Sequence, residues 1–236
     1  GEASSFYVSG EYMNRIGLVN GTDYKRYGMR INSQFEFGKF RIQESMAATR
    51  VINDPNSYFG RERGALPVIP VRDESNLGGF AGVEPSFHGV ARGINWHGVE
   101  VLNQNTVTTD QVIGNIEATY SLLSNLQVDL NLALEYGQVN NYDFMPAFFQ
   151  STSQEAFNDV ADLNEGNNRQ FDTMIETTVS YDESIGNHNI DLLGGLTHER
   201  DQTNTANIQV AGFPNNQLRQ IAAASETIAT NGQLFE

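Results

Sequence analysis

Oily and polar side chains alternate along residues 24–50, YKRYGMRINSQFEFGKFRIQESMAATR. Tyr27, Met29, Ile31, Phe35 and Phe37 share one parity with Lys25, and Arg26, Arg30, Asn32, Gln34 and Glu36 share the other. A period of two places alternate residues on opposite faces of a β-strand. Gly38-Lys39 interrupts the run, and Gly at the first central position suits a two-residue type II′ hairpin. That turn sets Phe37 opposite Phe40, Phe35 opposite Ile42 and Ile31 opposite Met46, all on one face. It also sets Ser33 opposite Glu44, a carboxylate on the oily side. A bulge there or a covering of protein would account for the misfit.

The same pattern recurs. SSFYVSGEY, residues 4–12, puts Phe6, Val8 and Tyr12 on one face, and Asn20-Gly21-Thr22 reads as turn chemistry. VIGNIEATYSLL runs into LQVDLNLALEY across a loop of Leu123-Ser124-Asn125. Leu122 then faces Leu126, Tyr120 faces Val128, Ala118 faces Leu130 and Ile116 faces Leu132, with Glu117, Asp129 and Glu135 on the opposite parity. A third hairpin turns through Ile185-Gly186-Asn187, with Ile175, Val179 and Tyr181 on one strand and Ile190, Leu192 and Leu196 on the next. Between these lie long segments without a clear period. Residues 51–111 carry Pro55, Pro67, Pro70, Pro85 and Gly78-Gly79. Residues 137–170 hold one candidate short helix, with Thr152 and Glu155 at capping-box spacing and Gly166 to stop it. Residues 200–236 read as polar and irregular, with a second candidate helix near NQLRQIAAAS.

About seven strands therefore alternate between tight turns and long loops. Outer-membrane barrels follow that rhythm, with short periplasmic turns and long extracellular loops. Strands of ~10–14 residues exceed the ~9–11 that a tilted strand needs to cross the hydrocarbon. Tyr12, Phe37, Phe40 and Tyr136 stand where strands end, as an interfacial girdle would. The reading is all-β: a segment of an antiparallel transmembrane barrel, residues 1–236 being part of one barrel domain. The oily parity faces lipid. Arg26, Arg30, Glu117, Asp129 and Glu135 face a lumen that is wet or filled by polypeptide. A soluble β-sandwich with its oil inward has the same alternation, so pattern alone leaves both open.

Composition narrows the classes. Of 236 residues 39% are hydrophobic, and no run approaches the ~18 apolar residues of a membrane helix. A net charge of -15, with no basic run, argues against nucleic acid. Cysteine is absent, which removes disulfides and thiolate metal sites.

The ordered set NGTDYKRYGMRIN, ESMAATR, LPVIPVRDESNLGGFAG, IGNIEATYSLLSNLQVDLNLALEYG and AAASETIATNGQ resembles the barrel of SusC/RagA-like TonB-dependent transporters. The resemblance implies an outer-membrane protein of Bacteroidota-type bacteria with a 22-stranded barrel around an N-terminal plug. It further implies a SusD-like lipoprotein lid, oligosaccharide or peptide cargo, and import driven by the proton-motive force through TonB. Plug, TonB box and the remaining strands are not seen in these residues, so an internal segment of a longer polypeptide is expected. A diffusion porin, without plug or lid, is the other membrane alternative.

No catalytic arrangement stands out. His88, His97, His188 and His198 lack H-E-x-x-H spacing, and no G-x-S-x-G elbow occurs. The expectation is a non-enzyme without cofactor or catalytic metal. Asp159, Asp162 and Glu165 have oxygen ligands suited to calcium but no EF-hand spacing, and read as a solvated helix face. Ligand contact is assigned to loop aromatics that can stack on sugars or anchor peptides: Trp96 with His97, then Tyr142, Phe144, Phe148 and Phe149. Packing of the loops, or grip on the lid, is the competing use of those rings.

Overall fold

The computed structural model describes residues 3–19, 21–55, 69–84, 93–152 and 156–235. Asn20, Pro67, Pro85, His88 and Glu155 lie outside them. The described chain is almost entirely strand: β1 (Ala3–Ile16), β2 (Asp23–Phe37), β3 (Phe40–Asn53), β4 (Gln104–Leu123), β5 (Leu126–Met145), β6 (Phe148–Phe149), β7 (Phe157–Asn158), β8 (Asp162–Ile185), β9 (His188–Ala211) and β10 (Glu226–Phe235). One short helix, α1 (Trp96–Leu102), precedes β4. Eight strands form a single antiparallel sheet in the order β1-β2-β3-β4-β5-β8-β9-β10, and β6 pairs only with β7. The sheet is open. Its order follows the chain, as in the wall of a barrel rather than the two packed layers of a sandwich.

The register of the first hairpin matches the expected one at every pair, with Phe37↔Phe40, Phe35↔Ile42 and Ile31↔Met46. Gly38 has φ +60°, and no described residue other than glycine has positive φ, as a type II′ turn requires. Ser33↔Glu44 involves no bulge: Ser33 Oγ donates to Glu44 Oε2 at 3.0 Å, and Ser33 is only 6% exposed. The second hairpin keeps Tyr120↔Val128, Ala118↔Leu130 and Ile116↔Leu132, but its turn is Ser124-Asn125, and Leu123, not Leu122, meets Leu126. The extra residue is a bulge between Ser121 and Leu123. Gly186-Asn187 likewise closes a two-residue turn between Ile185 and His188. Thr22 N and Oγ1 both donate to the Val19 carbonyl, making the turn expected around Gly21.

The long connections are shorter, and the strands longer, than the pattern predicts. β5 continues to Met145, β8 begins at Asp162, and β8 and β9 each run 24 residues. Residues 137–145 and 162–170 are strand, so Gly166 stops no helix. Residues 200–211 are strand too, and only a three-residue 3-10 turn, Ile221–Ala223, stands where the second helix was expected. Hence eight sheet strands rather than seven. The missed portions are rich in Asn, Gln, Thr and Asp on both parities. Without an apolar face they carry no period-two signal.

The three two-residue turns lie at one end of the sheet, and the β1–β2 turn and the longer connections lie at the other. The turns step through the register. Phe40, just past the first turn, pairs with Tyr120, three residues short of the next turn. Leu126 pairs with Tyr181, four residues short of the third. With ~3.3 Å per residue and ~4.8 Å between strands, this stagger tilts the strands by roughly 45–55°. The apolar band follows the turns, not the hydrogen-bonded rows. On β9 it runs from Ile190 to Leu196, and His198 and Arg200 lie beyond it, although they pair sideways with Ile175 and Thr173 of β8.

Candidate functional site

The sheet has two unlike faces. On one lie Met29, Ile31, Phe35, Phe37, Phe40, Ile42, Met46, Ile116, Leu130, Leu132 and Leu134, joined in rows by the register. They are not sealed in a core: Met29 is 47% exposed, Leu130 36% and Leu132 39%. A sandwich would bury them. Aromatics bracket this band. Near the turns Phe37 stacks on Phe40 at 5.5 Å and Phe40 meets Tyr120 at 4.4 Å. Ten residues up β2, Tyr27 packs on Tyr12 at 5.2 Å. Tyr136 is not at a strand end, since β5 runs past it, but it stands at this same upper rim. Just above the band Arg50 makes a two-pronged ion pair with Asp110, at 2.6 and 2.8 Å.

The other face is a polar lattice. The register places Arg26, Arg30, Glu117, Asp129 and Glu135 together on it. Arg26 pairs with Glu11 at 2.7 Å and Arg41 with Glu36 at 2.9 Å. Further along, amides and hydroxyls replace cations. Thr119 Oγ1 donates to Asp129 at 2.7 Å, Gln127 Nε2 to Asp129 at 2.8 Å, and Gln111 Nε2 to Glu135 at 3.0 Å. Open grooves lie on this face, one of about 550 Å³ lined by Arg30, Glu135, Asp172, Glu199 and Asp201 among others. In β2 its residues are mostly half-buried, where Tyr27, Met29, Phe35 and Phe37 opposite are exposed. Both observations mean the sheet curls with its polar face inside.

At the loop end two small cores form, and they divide the candidate aromatics. In the first, Phe80, Val83 and Val99 are buried around α1. Asn95 caps the helix, its side chain accepting from Gly98 N at 3.0 Å. Gln150, 2% exposed, ties this segment to the β5–β8 connection. Its Oε1 accepts from Asn95 N at 2.9 Å and its Nε2 donates to Asn95 O at 3.0 Å. Gly98 is forced by contact, since a Cβ there would lie 2.6 Å from the Phe80 ring. His97 meets Phe80 edge-on at 6.0 Å, and Arg72 sits 3.9 Å over the same ring. Trp96 and His97 are thus helical rather than in a loop. Phe148 is buried here, while Phe149, 37% exposed, donates its backbone N–H to Leu77 O at 2.9 Å.

The second core lies where β5, β8 and β9 outrun the apolar band. Phe144, Ala161, Leu163 and Val210 are buried together, with Tyr142, Phe213 and Ile221 packed against them. Phe144 is wholly inaccessible, edge-on to Phe213 at 5.5 Å and covered by the Arg219 guanidinium at 4.6 Å. Phe144 and Phe148 are therefore spent on packing and present no free ring. The six aromatics do not converge. Trp96, His97, Phe148 and Phe149 lie in the segments around the first core, Tyr142 and Phe144 in the second.

The carboxylates considered for calcium do not converge either. Asp162 and Glu165 are three apart on one strand, so they project to opposite faces. Burial, with Asp143 nearby, raises the Asp162 pKa above the usual carboxylate range. Among the described residues no group of three His, Cys, Asp or Glu could hold a metal ion. Gln150 and Arg219 went unanticipated. Neither has a periodic signal, and only the Asn95 cap before a helical run was there to be read.

An open, staggered, antiparallel meander with one oily and one polar face is the wall of a β-barrel. Solved structures with the same fold exist. The chain matches the RagAB peptide importer in its open-open state (TM-score 0.75, 13% identity), the RagAB peptide transporter (0.75, 14%) and the importer in its closed-closed state (0.71, 14%). Each match covers 98% of this chain but only 26–27% of the other, so the chain spans about a quarter of the structures it resembles. No protein-family model matches the sequence, and no curated protein does.

Proposed function

We propose that this chain is part of the barrel wall of an outer-membrane transporter, within a longer polypeptide that imports peptides or oligosaccharides. The observation that carries this is the oily band. Ten residues separate its two aromatic rims on β2, which at ~3.3 Å per residue and the tilt above is a height of roughly 20–25 Å, close to the ~25 Å apolar belt of such barrels. The fold shared with the RagAB importers adds to it, and their cargo favours peptides. A TonB-driven plug and a SusD-like lid belong to the same reading. Its work is gated passage, not chemistry, and it needs no cofactor.

Arginine substitution on the two faces tests the reading. Met29→Arg and Leu130→Arg place a cation against lipid at ~2–4 kcal/mol each, and should sharply reduce the folded protein recovered in outer-membrane fractions. Asn32→Arg and Asn131→Arg, on the polar face, should leave recovery unchanged. Equal tolerance of both classes would refute the reading.

A further inference from the structure

The chain's negative charge is not spread evenly over the wall. On the polar face of β4, β5, β8 and β9 the register gathers eleven carboxylates: one on β4, three on β5, four on β8 and three on β9. The same face of these strands carries no Lys or Arg. The arginines of this face, Arg26, Arg30 and Arg41 among them, stand on β1–β3. Three carboxylates fall in a single row, Glu135↔Asp172↔Asp201, with Glu199 on the adjoining row. Like charges directly across strands repel. Neutral donors relieve them in part, Gln111 on Glu135 and Gln170 Nε2 on Asp172 at 2.6 Å. Asp172 Oδ1 is hidden from solvent and has no hydrogen-bond partner. All four line the 550 Å³ groove.

We infer that this acidic half-wall favours peptides bearing Lys or Arg, so that within the proposed transporter it sets a preference for cationic cargo. The carboxylates stretch along the strands from Asp129 to Asp143 on β5 alone, and no three of the described acids converge as an ion would need. An extended partner with several separated positive charges fits that spacing; a single metal ion does not. A cleft lined by one sign of charge also concentrates the opposite sign before contact.

The inference rests on the transporter reading, and the test separates the two. The full-length protein, purified in detergent from its own membrane, is titrated with matched peptides carrying Lys, Gln or Glu at the same positions. At low salt the Lys peptide should bind at least about tenfold more tightly than the Glu peptide, and added salt should shrink the gap. Glu135→Gln, Asp172→Asn and Asp201→Asn combined should lose most of the preference while still binding the Gln peptide. Equal binding of all three peptides by the unmodified protein overturns the inference and leaves the transporter reading standing. So does a triple variant that keeps its preference but loses thermal stability, because the acids would then hold a resident basic segment. Failure of every peptide to bind counts against peptide transport itself.

Discussion

The lower and upper halves of the long strands obey different rules. Near the turns, β4 and β5 alternate Leu, Ile and Val with Glu, Asp and Asn, and successive rows across the strands are oily and wet in turn. Above Tyr136 β5 reads GQVNNYDFM, polar on both sides, until Phe144 is swallowed by a local core. The lower half makes no core within the described chain: its oily side chains remain accessible, and their burial needs a medium. The upper half supplies its own burial from Leu163, Val210 and Phe213. One strand thus passes from depending on a surrounding apolar phase to folding as a water-soluble element does.

The largest expected effect separates the halves by where it is felt. Phe144→Ala empties a fully enclosed site, and buried Phe→Ala changes cost ~3–5 kcal/mol. The cost should be the same in detergent and in lipid, because neighbours from the chain itself surround the ring. It should appear as faster amide exchange in 142–145, 161–165 and 208–213, with the lower strands unmoved. Leu130→Arg should do the reverse, loosening the lower strands where an apolar phase surrounds them and leaving the Phe144 core protected. A loss of lower-strand protection in Phe144→Ala would mean that the two halves fold as one unit.

How far the sequence could be read follows the same division. Phe35, Phe37, Phe40 and Ile42 predict their own register, because a one-residue slip would send every apolar side chain to the wrong side. Ser33 opposite Glu44 looked like a fault in that pattern. It is a satisfied hydrogen bond, and the register runs straight through it. Residues 137–145 and 162–170 gave no such signal. Strands wet on both sides have no preferred parity, so loop or helix chemistry at Thr152 and Gly166 filled the gap wrongly. The candidate aromatics fared worst. Composition marks Phe144 and Phe148 as able to bind, but only packing shows that they are already used. Gln150 was invisible, because a single amide ties together segments 55 residues apart.

A smaller effect sharpens the comparison inside the loop end. Gln150→Ala removes both hydrogen bonds to Asn95 and leaves the part-buried Asn95 N–H without a partner, at ~1–3 kcal/mol, while the Asn95 carbonyl keeps its bond from Val99 N. Exchange should quicken in 93–103 and 80–83, the segments Gln150 ties down. The Phe144 core should stay protected, because nothing from α1 enters it. Gln150→Glu keeps the acceptor for Asn95 N but loses the donor to Asn95 O, and should fall between.

The smallest effect is a pH dependence that only the upper half should show. Asp162 begins β8 where burial, aided by the nearby Asp143 carboxylate, raises its pKa. A raised pKa means the folded state binds the proton more tightly than the unfolded chain does. The resulting stability is fully present below the ordinary carboxylate pKa, and is lost as pH rises through the raised value. At neutral pH the ionised Asp162 therefore destabilises its surroundings. Asp162→Asn, which mimics the protonated form, should slow exchange around 160–164 at neutral pH and make no difference well below the carboxylate range. Asp143→Asn should act in the same direction but less, since it removes only the minor cause. Asp73, whose pKa is lowered by hydrogen bonds from the Ser75 hydroxyl and backbone N–H, should behave oppositely, its turn loosening as pH falls. If Asp162→Asn left exchange at neutral pH unchanged or faster, the carboxylate would be held by something other than desolvation.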